Sequence, residues 1–254
     1  MSKRSAWLVA IAVLVLLGLF SQRALRAWWD DDEGNRALLQ GHGVQAARLF
    51  ETGLALEPDW AMLHEDFGRA LLASDPARAL AEFDRAACGS PCLAQAGDAL
   101  AAMGRTNEAI DRYVQAKAVE KVSQVAAQLV AAGRYDAALA VESALLAKLH
   151  NDFVDRSDLA AVYAQIGKID LAAAARTGAR GAARERAKSG LDALAHATAL
   201  SPLNEDYLLS YGFGELRFGD RAAARQTFER ILELHPGEEH AVEGLARTGG
   251  STQP

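Results

Sequence analysis

Four times along this chain a small residue is followed, four positions on, by an aromatic one: Ala46 and Phe50, Ala79 and Phe83, Ala109 and Tyr113, Ala224 and Phe228. Positions i and i+4 lie on one face of an α-helix. The small member lets a second helix approach closely, and the ring fills the gap beside it. Residues 204–236 show the pattern in full. They read as two helices with a tight turn at Gly219-Asp220, and Ala224, Phe228, Ile231 and Leu232 align on one face of the second helix. Pro236 ends that helix, because proline cannot continue the backbone ladder. Prolines recur at matching intervals: Pro58 to Pro91 spans 33 residues and Pro202 to Pro236 spans 34.

This arrangement resembles the tetratricopeptide repeat, a helix–turn–helix unit of about 34 residues with a small–x3–aromatic pair on its second helix. Phe67-Gly68 stands at the family's Leu-Gly place and Tyr163 at its first-helix tyrosine place. The resemblance implies an all-α chain: an α-solenoid of about six helix–turn–helix repeats over residues 30–247. It also implies protein binding, without naming a partner. The expected turns are Gly41-His42-Gly43, Ser74-Asp75-Pro76, Gly104-Arg105, Gly133-Arg134, Gly167-Lys168 and Gly219-Asp220. The register is uneven. Turn glycines 104, 133, 167 and 219 are separated by 29, 34 and 52 residues. The last excess falls in residues 174–199, read as an extended second helix or an extra helical segment. Residues 238–247 read as a solvating cap helix and residues 248–254 as a flexible tail.

Ahead of the repeats, residues 6–20 carry no charge. A cleaved signal peptide and an uncleaved membrane helix both fit an apolar run of this kind. The anchor is favoured, over residues 1–29, because arginine sits inside both candidate cleavage sites, at Arg23 and Arg26. Trp7 and Trp28-Trp29 bracket about 33 Å of helix, which matches a hydrocarbon core with an interfacial tryptophan at each end. Lysine and arginine counts on the two sides are nearly level. The short positive tail favours the amino terminus inside and the repeats outside, in a bacterial periplasm.

Half of the 254 residues are hydrophobic, enough for one sizeable domain after the anchor. The net charge is −6, with 27 Lys and Arg against 33 Asp and Glu. That balance argues against nucleic acid. No phosphate loop, nucleophile elbow or zinc-protease signature occurs, so no enzyme activity, cofactor or small-molecule substrate is expected. His235 and His240 are separated by the helix-breaking Pro236-Gly237, so no metal site is expected.

The resemblance places a binding groove along the first helices. Its positions here are Asp31, Asp32, Asn35, Glu65, Asp66, Arg69, Gln95, Asp98, Ser123, Gln124, Asp158, Gln165, Leu209, Phe213 and Arg217. Most are acidic or neutral, so a neutral or basic protein segment suits the groove, and a carboxylate-clamping role does not. Solvated helix faces are the plain alternative. Arg176, Arg180, Arg184 and Lys188 recur every fourth residue and would form one basic surface if residues 174–188 are a single helix. Cys88 and Cys92 read as a structural disulfide in an oxidising compartment, with a redox pair as the alternative. Three functions stay open: a membrane-tethered scaffold or assembly factor, a permanent subunit of a membrane complex, and an enzyme resting on the cysteine pair alone.

Overall fold

A computed structural model describes residues 3–87, 89–150, 155–177 and 180–249, with side chains described at Gly18 and from Gln22 onward except at Arg180. Every described element is an α-helix, and successive helices pair as hairpins. Two units are distinguished, residues 1–116 and 117–254. The first holds α1 (Lys3–Leu39), α2 (Gly43–Leu56), α3 (Ala61–Leu71), α4 (Pro76–Ala86), α5 (Ser90–Ala102) and α6 (Thr106–Gln115). The second holds α7 (Val119–Ala131), α8 (Tyr135–His150), α9 (Arg156–Arg176), α10 (Arg180–Leu200), α11 (Glu205–Phe218), α12 (Arg221–Leu234) and α13 (Glu239–Thr248).

The hairpin turns follow from local chemistry. Gly104 and Gly133 adopt φ of +75° and +74°, the left-handed region where a side chain is strained. Each closes its helix by the same pair of bonds. The Gly104 and Arg105 amides donate to the Ala101 and Leu100 carbonyls, and the Gly133 and Arg134 amides to those of Val130 and Leu129. The α3–α4 turn uses another device. Asp75 caps α4 by accepting from the Arg78 amide at 3.1 Å, with Pro76 in the first turn. Asp220 caps α12 by accepting from the Ala222 amide at 2.8 Å.

The four small–aromatic pairs are buried, and each ring rests on a glycine of the preceding helix. A Cβ added at Gly34, Gly68, Gly97 or Gly212 would meet Phe50, Phe83, Tyr113 or Phe228 at 2.5–2.9 Å. The glycine is therefore part of the seat: it lets the ring lie against bare backbone. Phe228 is held from both sides, because a Cβ at Gly244 of α13 would meet it at 2.4 Å. That contact is how α13 covers the last hairpin.

Several expectations need correction. The backbone is helical through residues 29 and 30, so the first repeat's first helix is the end of α1 and not a separate element. The expected turn at Gly167-Lys168 does not exist. Gly167 is buried inside the 21-residue α9, where a Cβ would meet the Gly190 carbonyl oxygen at 2.8 Å and Leu194 Cγ at 2.6 Å. It is a crossing point, and α9 and α10 are both 21 residues long. The extra chain length is thereby shared between two long helices. The basic stripe is also broken, since α9 ends at Arg176 and α10 starts at Arg180. Pro91 lies in the first turn of α5 and opens that helix rather than closing the previous one. Thr248 belongs to α13, while residues 250–254 of the expected tail lie outside the described residues. Among the described residues no helix is long and apolar enough to cross a membrane. The apolar core of the expected anchor, residues 6–20 apart from Gly18, has its side chains outside the described set.

Candidate functional site

Asp31 and Asn35 lie one turn apart on α1, and Asp66 and Arg69 three apart on α3, so each pair shares a helix face. The packing of α1 on α3 brings the pairs together. Asn35 Nδ2 donates to Asp66 Oδ2 at 2.7 Å and reaches Asp31 Oδ1 at 3.4 Å. Arg69 Nη1 donates to Asp66 Oδ1 at 2.6 Å. Both carboxyls are buried, with Asp31 8% and Asp66 6% exposed. Burial pushes the Asp31 carboxyl up to about 7, helped by the negative charge of Asp66 and a hydrogen bond between the two; Arg69 opposes the shift. The result is a carboxyl pair with one guanidinium and one amide turned onto it. Such a set can bind polar or cationic groups, and Asp31 can take up or release a proton near neutrality.

The other expected groove residues are placed less uniformly. Glu65 is half-buried on α3. Asp98, half-buried on α5, accepts a 2.8 Å hydrogen bond from the Tyr113 hydroxyl, so the ring of the third hairpin is tied to the groove side of its partner helix. Gln124 is exposed on α7, and Asp158 stands in the first turn of α9, where a carboxylate is favoured by the helix dipole. Phe213 is partly buried: its ring packs edge-on to Phe228 at 5.0 Å, against the core of the last hairpin. Arg217 is exposed, with its guanidinium 5.0 Å above the Phe218 ring. Gln124, Asp158, Phe213 and Arg217 all belong to the second unit. Asp66 and Asp98 both accept hydrogen bonds from within the fold, the first from Asn35 and Arg69 and the second from Tyr113.

Arg176 is exposed in the last turn of α9, and Arg184 and Lys188 are exposed one turn apart on α10. Cys92 is buried on α5 and disulfide-bonded, whereas Cys88 lies outside the described residues. Among the described residues no group of three or more His, Cys, Asp or Glu is placed to hold a metal ion.

Two polar features escaped the sequence reading. The first is a cleft of about 740 Å3 in the first unit, lined by His64, Phe67, Arg78, Glu82 and Arg85 among others. His64 Nδ1 lies 2.6 Å from Glu82 Oε2, and His64 Nε2 lies 2.7 Å from the Pro58 carbonyl oxygen. Arg85 donates to the other Glu82 oxygen at 2.6 Å, and Arg78 donates to Glu51 at 2.7 Å. These partners sit 18 and 27 positions apart, a separation that no helical period reveals. The second is Glu142 on α8, which is 0% exposed with neither carboxyl oxygen hydrogen-bonded. Burial raises its pKa to about 7; the nearby Ser123 hydroxyl counters this in part without forming a hydrogen bond of normal geometry. A signal for it existed. In the first and third hairpins the ring lies nine positions after the turn glycine, at Phe50 and Tyr113, and nine positions after Gly133 stands Glu142.

No family model matches the chain, and no curated protein matches it. Solved structures do. One is a chain of the Cut9–Hcn1 hetero-tetramer of APC/C, 15% identical with a TM-score of 0.46, over 94% of this chain and 45% of that one. This chain therefore spans less than half of that protein's length. Another is MamA from Desulfovibrio magneticus RS-1, 20% identical with a TM-score of 0.37, over 84% and 97% of the two chains. A third is the tetratricopeptide domain of P58(IPK), 14% identical with a TM-score of 0.38, over 97% and 69%. The chain is similar to tetratricopeptide repeat proteins in its all-helical hairpin fold.

Proposed function

We propose that this chain is a membrane-tethered scaffold that holds another protein against the first-helix face of its first unit. The observation that carries the reading is the convergence on Asp66 of Asn35 from α1 and Arg69 from α3. Residues far apart in sequence build one polar surface with a net negative pair of carboxyls and half-buried Glu65 beside it. The negative charge left on Asp66 and on half-buried Glu65, with one guanidinium against it, suits a neutral or basic segment of a partner. The tether is the apolar run of residues 6–20 with the exposed Trp28 and Trp29 at its end, and the setting is a bacterial inner membrane with the repeats in the periplasm. Chemistry on a substrate forms no part of this role.

The test is a pull-down from native membranes with the full chain and with Glu65→Lys. The variant is expected to lose most of the protein held by the wild type at low salt, while helicity stays unchanged. Equal retention by both would remove the groove from consideration. The bridge between Cys88 and Cys92 belongs to the same proposal. Unreduced protein is expected to resist maleimide, and ready labelling of both thiols would place the repeats in the cytoplasm instead.

A second reading, a permanent subunit of a membrane complex, draws on the unbroken helix α1. It leaves no linker between the tether and the first repeat. Purification in mild detergent followed by mass measurement separates the two readings by the stoichiometry that survives.

A further inference from the structure

We infer that His64, Glu82 and the Pro58 carbonyl form a proton-operated clasp in the first unit. It fixes the start of α3 while the imidazole is charged and releases the α2–α3 connection when the imidazole is neutral. His64 on α3 is 8% exposed and Glu82 on α4 is 3% exposed. The ring's Nδ1 lies 2.6 Å from Glu82 Oε2, and its Nε2 lies 2.7 Å from the Pro58 carbonyl oxygen. A carbonyl oxygen only accepts. Arg85 donates to the other Glu82 oxygen at 2.6 Å, which suits a carboxylate, and a carboxylate also only accepts. Both ring nitrogens therefore donate, and only imidazolium carries a proton on each.

A neutral ring keeps one N–H. Its other nitrogen then turns a lone pair onto an oxygen lone pair at hydrogen-bond distance, which is repulsive. The charged Glu82 oxygen holds the remaining proton better than a neutral carbonyl does, so the contact that fails is the one to Pro58. Pro58 is exposed in the connection of residues 57–60, so water takes over its carbonyl when the ring lets go. That connection has weak support of its own. α3 starts at Trp60 without a side-chain cap, and the Trp60 amide reaches the Glu57 carbonyl at a long 3.3 Å.

The other charged groups around the ring are Glu51 from α2, Asp59 from the connection, and Arg78 and Arg85 from α4. Arg78 is paired with Glu51 at 2.7 Å and Arg85 with Glu82. Of these side-chain types only histidine ordinarily changes charge between about pH 5 and 8. On the opposite side of α3, roughly 200° around the helix from His64, Asp66 accepts from Asn35 of α1 at 2.7 Å. Polar contacts thus hold α3 from two sides. An open clasp frees the entry of the helix that carries Glu65, Asp66 and Arg69. The device is read without any partner, so it stands or falls apart from the proposed binding role.

The experiment uses the full chain in detergent micelles with isotopically labelled histidine ring nitrogens. The chain has six histidines, and His64 is identified by the signals that His64→Gln removes. Nitrogen NMR shifts report whether each ring nitrogen carries a proton. Hydrogen exchange, corrected for its intrinsic pH dependence, reports the peptide of residues 57–63. Between about pH 5 and 8, His64 is expected to pass from two protonated nitrogens to one, while protection of that peptide falls about tenfold with the same midpoint. His64→Gln should remove the step and leave any response of Asp31, across α3, as the baseline. Glu82→Gln takes away the charge that favours imidazolium and should move both midpoints together to lower pH. A ring with one protonated nitrogen already at about pH 5, or one still doubly protonated at about pH 8, overturns the inference. So does deprotonation without loss of protection in the peptide, or a step that persists in His64→Gln.

Discussion

The hairpins α1–α2, α3–α4, α5–α6 and α11–α12 solve the packing problem one way, and the hairpins α7–α8 and α9–α10 solve it in two others. In the first four a ring lies on a glycine: Phe50 on Gly34, Phe83 on Gly68, Tyr113 on Gly97 and Phe228 on Gly212. In α7–α8 both members of the seat change together. Ala126 stands where the glycine would be, and Glu142 where the ring would be, with Ala138 still in the small place. A Cβ at the seat leaves no room for a ring, so a thinner side chain takes the place and carries its carboxyl into the interior. In α9–α10 the backbones themselves touch. Gly167 and Gly190 face each other, Leu194 fills the remaining space, and Ser189 donates to Asp170 at 2.7 Å beside the crossing. The same two-helix unit is thus closed by an aromatic ring, by a buried acid, or by glycine contact. Only the first of these has a readable signature.

The largest expected effect tests the ring on its seat. Phe228 is 0% exposed and clasped by Gly212 and Gly244. Phe228→Ala should destabilise the second unit by about 3–5 kcal/mol, through lost burial and the cavity left behind. The readout is hydrogen exchange of peptides from α11 to α13, since all four tryptophans, at 7, 28, 29 and 60, lie in the first unit. A loss below about 1 kcal/mol would mean that the glycine seat is not what holds this hairpin together.

Next comes the buried acid. The pKa of Glu142 is about 7 in the folded state against 4.5 as the ordinary value. Below pH 4.5 the carboxyl is protonated whether the chain is folded or not. As pH rises from there the unfolded chain gives up the proton while the folded chain keeps it, so stability falls until the folded carboxyl also ionises near pH 7. The whole change is roughly 3 kcal/mol. Hydrogen exchange in α7 and α8 should therefore accelerate from pH 5 to pH 8 beyond its intrinsic pH dependence. Glu142→Gln should flatten that excess. Asp31 has the same sign and a similar folded value, but it acts in the first unit, where Trp60 packs on the core. Tryptophan fluorescence during urea unfolding separates the two contributions. An unchanged pH response in Glu142→Gln would show that this carboxyl is hydrated in solution.

The glycine crossing gives the third effect. A Cβ at Gly190 would stand 2.9 Å from the Gly167 carbonyl oxygen and 3.0 Å from Leu171 Cγ. Backbone cannot yield as a flexible side-chain end can, so Gly190→Ala should destabilise α9–α10 by about 1–3 kcal/mol despite alanine's better helix propensity. Gly181→Ala, at a position with nothing within 4 Å, is the control and should be neutral or slightly stabilising.

These differences explain what the sequence could be read for. Glycine turns with a small residue five positions on and an aromatic nine on are local patterns, and they located the first, third and last hairpins correctly. Gly167 has the small residue, Ala172, but Arg176 stands at the aromatic place. Its helical role depends on Gly190, 23 positions away, and no local rule links them. The groove face was legible to the same extent. Helical spacing on α1 and α3 marked Asp31, Asn35, Asp66 and Arg69, but that Asp66 is satisfied internally depends on how two hairpins pack. The stripe at Arg176 to Lys188 failed because four-residue spacing says nothing about the helix end between Arg176 and Arg180. Of that stripe, Arg184 and Lys188 stand one turn apart and exposed on α10.

The smallest expected effect separates the seat from the groove within one residue. Tyr113 is the one aromatic of the four that carries a polar group, and its hydroxyl donates to Asp98 at 2.8 Å. Tyr113→Phe keeps the ring on Gly97 and removes only that hydrogen bond. Asp98 is half-buried and can be rehydrated, so the loss should be about 1 kcal/mol rather than the larger value of a stranded buried charge. Urea unfolding followed by tryptophan fluorescence reads it in the first unit. Loss of that hydrogen bond also makes Asp98 a stronger acceptor for a basic partner segment. If the groove face binds as proposed, Tyr113→Phe should retain the partner at least as well as the wild type while unfolding slightly earlier. A drop in retention equal to that of Glu65→Lys would instead mean that the hydroxyl positions Asp98 for binding, and that ring seat and groove work as one device.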